Sequence, residues 1–142
     1  MKPAAPVLVL AIAALLLVGC VGRASFDDDV TFSDVEQVLT HGTLDVCEQS
    51  RHPDGLANQA TATRTYEIAL DCSTDDSVRL VVDEFDDAEA RDGAARQFEG
   101  LLRPRGDGTV WTWGPFTLFA NGGRDDAVMD RITDALDEAG AR

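Results

Sequence analysis

The side chains in this chain that could do chemistry are few. Histidine occurs only at His41 and His52, and the serines are Ser25, Ser33, Ser50, Ser73 and Ser77. No serine lies in the G-x-S-x-G or S-x-x-K contexts that make a hydroxyl a nucleophile. His41, His52 and Asp54 are close enough in sequence to suggest a metal site. Each nevertheless has a plainer role: His41 at a helix C-terminus, where an imidazolium favours the dipole, and His52 in a loop before Pro53. Asp83, Glu84, Asp86 and Asp87 are the densest acids of the folded part. A paired-carboxylate hydrolase needs two acids facing one cleft. Strand alternation instead sends Asp83 and Glu84 to opposite sides, and Asp86 and Asp87 stand at a helix start, so capping and solvation account for all four. Trp111, Trp113, Phe116 and Phe119 form an aromatic cluster. It reads as core, with a sugar- or peptide-binding surface as the alternative.

The cysteines Cys20, Cys47 and Cys72 say more. Cys20 closes the run Leu17-Val18-Gly19-Cys20, preceded by Lys2 and the twelve apolar residues 7–18. That core is shorter than the roughly 20 residues that span a bilayer, and the layout is that of an export signal. The motif resembles the lipobox of bacterial lipoprotein signal peptides, and the chain as a whole resembles small actinobacterial-type membrane-anchored lipoproteins. The resemblance implies that residues 1–19 are a lipoprotein signal peptide. Cys20 would carry diacylglycerol and palmitate-type acyl chains, and residues 20–31 would be a lipidated N-terminus and tether. It also implies a place on the outer face of the cell membrane.

With Cys20 taken by lipid, Cys47 and Cys72 remain, 25 positions apart. Two thiols in an exported domain are expected to form a disulfide. A redox pair or metal site would call for CxxC spacing or a nearby histidine ligand. Removal of residues 1–19 leaves 123 residues, one domain, and takes away the sole lysine. Eleven arginines then face 26 acids. So acidic a surface argues against nucleic acid and against basic-patch binding of anionic lipid headgroups. Asp27-Asp28-Asp29 lacks the alternating ligands of a calcium loop and reads as part of a solvated spacer.

Residues 32–142 read as a single α+β domain. Ser33 and Glu36 suggest a capping box for a first helix ended by Gly42. Residues 43–60 read as a loop. Strands follow at residues 66–72 and 78–85, then a helix capped by Asp86 with Ala90, Ala94, Phe98, Leu101 and Leu102 as its apolar stripe. A hairpin follows, turning at Gly114-Pro115 with Trp113 facing Phe116 and Trp111 facing Leu118. A last helix is capped by Asp125. The expected architecture is α-ββα-ββα, a two-layer sandwich with a four-stranded antiparallel sheet and helices on one face.

The function expected from this reading is a non-enzymatic cell-surface lipoprotein. Its small acidic extracytoplasmic domain would bind an envelope protein or glycan, reach the membrane through its N-terminal lipid and need no cofactor. The alternative is an envelope hydrolase or metal-dependent enzyme using acidic residues.

Overall fold

The computed structural model describes residues 26–27, 29–121 and 126–142; the lipobox and Cys20 lie outside them. Helix α1 (Phe32–His41) leads into strands β1 (Asp45–His52), β2 (Ala62–Ala69) and β3 (Ser77–Glu84). Helix α2 (Ala88–Leu102), strands β4 (Gly108–Trp113) and β5 (Phe116–Asn121) and helix α3 (Ala127–Glu138) complete the chain. The fold is α+β, with one antiparallel sheet in the order β1-β2-β3-β5-β4.

The sheet has five strands, not four. The strand missing from the sequence reading is β1, which looks like loop because its residues are polar on both sides. Only Val46 turns toward the core, and the ladder to β2 holds the rest. The register shifts between Val46 and Glu48, so Cys47 occupies a bulge. Its sulfur is bonded to Cys72, in the turn just past β2, with the Cα atoms 5.4 Å apart. The expected disulfide is therefore present, and it fastens an edge strand to its neighbour's turn. Closing a loop of this length is worth roughly 3–4 kcal/mol in the chain-entropy account.

The helices do not share one face. Tyr66, Ile68, Leu80, Val82, Trp111, Phe116 and Leu118 meet Val35 and Leu39 of α1 and Val128, Ile132 and Leu136 of α3 in one core. α2 lies on the opposite face, over β4 and β5, where Phe98 stacks on Phe119. The crossover explains this. β3 and β4 are separated by β5, so α2 must pass over β5. The α1/α3 face is already filled, and Ala135 Cβ stands 3.0 Å from where a Cβ on Gly42 would be. The sheet is thus buried on both sides around β5, which reads Phe116-Thr117-Leu118-Phe119-Ala120 without clean alternation.

Caps are displaced by one or two residues from the expected ones. Thr31 is the α1 N-cap, and the Asp34 carboxylate accepts from its backbone N–H and its hydroxyl, each at 2.7 Å. These bonds hold the Asp34 carboxyl below the usual aspartate range. Glu36 is left to bridge elements instead. Its Oε1 accepts from Arg64 (2.7 Å), Gln49 (2.9 Å) and the Tyr66 hydroxyl (3.1 Å), fastening α1 to β1 and β2. Burial, with the Glu36 charge second, pushes Tyr66 up to about 12. Asp87 caps α2 through Ala90 N–H, and Asp126 caps α3 through Val128 N–H.

The β4–β5 hairpin has the expected register, with Trp113 opposite Phe116 and Trp111 opposite Leu118. Gly114 turns it with φ +55°. A Cβ there would stand 2.6 Å from Val30 Cβ and 2.8 Å from Asp27 O. Phe26, Asp27 and Val30, expected to lie in a solvated spacer, are therefore seated by the hairpin, with Val30 against the core. Trp111 is 4% exposed. Replacing it with Ala should lower stability by about 3–5 kcal/mol, measured by urea unfolding; a loss below about 1 kcal/mol would contradict a core role.

Candidate functional site

The second face of the sheet presents two rows of facing residues. One runs Thr65, Val81, Phe119 and Val110, and the next runs Thr63, Asp83, Thr117 and Thr112. α2 covers the β4–β5 half. The β2–β3 half is overhung by the 53–61 loop, and between loop and helix lies a cavity of about 310 Å³. Its walls include Leu56 and Asn58 from the loop, Val81 and Asp83 from β3, Gln97 and Phe98 from α2, and Phe119 from β5. That volume is at the lower end of small-ligand sites.

The loop is held in shape by its backbone. Gly55 has φ +70°, and a Cβ there would meet Ala60 O at 2.3 Å, so glycine alone fits. Leu56 N–H donates to Thr63 Oγ1 at 2.8 Å. The Thr63 hydroxyl donates in turn to Asp83 Oδ1, and Ala57 N–H also donates to the Asp83 carboxyl. This relay leaves Leu56 projecting, 59% exposed, at the cavity mouth. On the far wall the Phe98 and Phe119 rings stack with centroids 5.2 Å apart and planes within 1°. The same pair forms the wall of an adjoining hollow of about 240 Å³ that reaches Leu101 and Arg105.

Asp83 is 1% exposed. Burial raises its pKa above the ordinary aspartate value, against the two hydrogen bonds that lower it. The expectation that this acid is solvated is overturned: β3 is buried on both faces, so alternation does not deliver Asp83 to water. Of the neighbouring acids, Glu84 lies opposite Phe116 on the other face, Asp86 is exposed and Asp87 caps α2. The sequence signal for a buried Asp83 is the unbroken apolar run Leu80-Val81-Val82 just before it, which marks a two-sided strand.

A second buried polar group stands at the start of α2. Arg91 has no exposed surface. Its guanidinium donates to Gly114 O, bonds Asp92 Oδ1 from Nε (2.9 Å) and Nη2 (2.8 Å), and lies 5.4 Å from the Phe26 ring centroid. The Thr117 hydroxyl donates to the Arg91 carbonyl at 3.0 Å. This group holds elements together rather than opening onto the cavity.

The four aromatics do not form one surface. Trp111 and Phe116 belong to the α1/α3 core and Trp113 packs against it, whereas Phe119 faces α2. Phe119 alone of the four lines the cavity. His41 ends α1, its exposed ring nitrogen Nδ1 2.7 Å from Gln37 O. His52 ends β1, half-buried. Among the described residues no group of three or more His, Cys, Asp or Glu side chains is placed to hold a metal ion. No described helix is long and apolar enough to cross a membrane. A larger cleft, about 520 Å³, lies between the end of α2 and α3, and its charged lining residues Glu99, Arg103 and Asp130 are all exposed.

No protein-family model matches the chain, and no curated protein or solved structure shows significant similarity to it.

The Asp83 geometry has a consequence for stability. A carboxyl whose pKa is raised on folding favours the fold at low pH, and that contribution is lost as pH rises through the folded-state value. Asp83→Asn keeps an acceptor for Thr63 and has no charge to bury. Its stability relative to wild type should therefore rise as pH increases above the ordinary aspartate value of about 4, read by urea unfolding at each pH. A difference that is independent of pH would refute the burial of an ionisable group here.

Proposed function

We propose that this chain is a lipid-anchored extracytoplasmic binding domain. It holds a small envelope component, or a side chain of an envelope protein or glycan partner, in the cavity between α2 and the 53–61 loop. The cavity, with its buried Asp83 and its stacked phenylalanines, is the observation that carries the reading. A rigid loop, a concave apolar wall and one buried polar group suit recognition.

Hydrolysis by paired acids has less support. Asp83 is the sole acid among the described residues that line the cavity, and a carboxylate pair would need a second acid facing it.

The Leu17-Val18-Gly19-Cys20 motif supports the anchor, and the Cys47–Cys72 bond suits an oxidising compartment. Because Phe26 and Asp27 lie against Arg91 and the hairpin turn, only residues 21–25 separate Cys20 from the folded domain. Five residues span at most about 18 Å. The anchor would thus hold the hairpin end of the domain close to the bilayer, unlike a long tether that lets a domain roam. Two or more acyl chains, at about 0.8 kcal/mol per buried methylene, anchor firmly where one does not.

Cys20→Ala should therefore abolish acyl labelling and leave the protein released or unprocessed, read by labelled palmitate and by intact mass. A wild-type mature chain that begins elsewhere and carries no lipid would refute the anchor.

A further inference from the structure

We infer that the α2-face cavity takes a primary ammonium group carried on an apolar body, with Asp83 as its counter-ion; this rests on the cavity being the binding site. Asp83 takes part in no ion pair among the described residues, and no arginine or histidine is among the described residues that line the cavity. Thr63 and Ala57 supply two donors that orient the carboxyl. An ionised carboxylate offers about four acceptor positions, of which these donors take two, and Asp83 is among the residues that line the cavity.

A buried charge with neutral donors and no cation is costly. A ligand bringing a compact cation with several N–H donors supplies the missing half. Charge-assisted bonds of this kind are the stronger class.

The remaining walls choose the rest of the ligand. Leu56, Val81, Phe98 and Phe119 offer aliphatic and aromatic contact to an apolar body. Asn58 and Gln97 add neutral hydrogen-bonding groups. An anion would meet Asp83 with like charge in a chain whose formal net charge is −14, a field that draws cations toward it. A bare metal ion would find a single carboxylate and no further acid or histidine in the described lining.

The test uses the full chain in detergent micelles and two probes of one shape, benzylammonium and benzyl alcohol. Binding is followed by the amide resonances of Leu56, Ala94 and Phe98. A hydrogen bond to a charged partner makes a difference of about tenfold or more in affinity. Benzylammonium should therefore shift these resonances at roughly a tenth of the concentration benzyl alcohol requires. Asp83→Asn should bring the two probes together while preserving the rest of the spectrum. Equal affinity of both probes at these resonances in the wild-type chain would overturn the ammonium assignment and leave the cavity as a site. Shifts elsewhere, or none, up to tens of millimolar would overturn both. The wild-type comparison decides by itself should the variant not fold.

Discussion

A guanidinium with no exposed surface sits where three parts of the molecule meet. Arg91 belongs to the first turns of α2, donates to the Gly114 carbonyl at the tip of the β4–β5 hairpin, and lies over Phe26 of the N-terminal segment. A buried ion pair adds little net stability over an apolar substitute, but losing one partner is severe. Its worth here is placement. Asp92, next in the helix, shares the charge, and Thr117 in β5 binds the Arg91 backbone. The start of α2 is therefore fixed over the hairpin. From there the helix runs along β5, and Phe98, two turns on, lands on Phe119. The cavity exists because that line of contact stops short of β2 and β3.

The sheet then has to manage two faces and two edges. One face is filled by α1 and α3 around Tyr66, Leu80, Leu118 and Ile132. The other is half filled by α2 and half by the 53–61 loop, which hangs from the Thr63–Asp83 pair. The β1 edge carries polar residues, a bulge and the disulfide, devices that discourage pairing with a second sheet. On the β4 edge, Thr112 and Arg142 exchange backbone hydrogen bonds at 2.6 and 3.0 Å. Burying Asp83 costs free energy, and the Thr63 and Ala57 donors offset part of it.

Much of this is readable in the sequence. The three helices follow from their apolar spacing. Gly114-Pro115 sets the hairpin register, because a two-residue turn with a left-handed glycine leaves one pairing. Cys47 and Cys72 are the pair that remains once Cys20 is assigned to lipid. Other features need the third dimension. β1 has too little alternation to be seen without β2 beside it. The caps move because Thr31-x-x-Asp34 competes with Ser33-x-x-Glu36, and Glu36 is drawn off by Arg64, Tyr66 and Gln49. The side on which α2 lies depends on β5 inserting between β3 and β4, which no local pattern encodes. For Asp83 the run Leu80-Val81-Val82 marks a two-sided strand, but which groups cover the carboxyl depends on where α2 and the loop come to rest. Phe26 and Val30 are isolated apolar residues among acids, and only the hairpin surface gives them a partner.

The placement of Arg91 is the claim on which the cavity, the position of α2 and the seating of Phe26 all rest. Nuclear magnetic resonance of its guanidinium tests it most directly. The Nε–H of a side chain locked against Asp92, Gly114 and the Phe26 ring should exchange slowly with water, give a resolved signal at neutral pH, and show cross-relaxation to the Phe26 ring protons. A signal averaged with those of the exposed arginines, exchanging rapidly and without contact to Phe26, would contradict that placement.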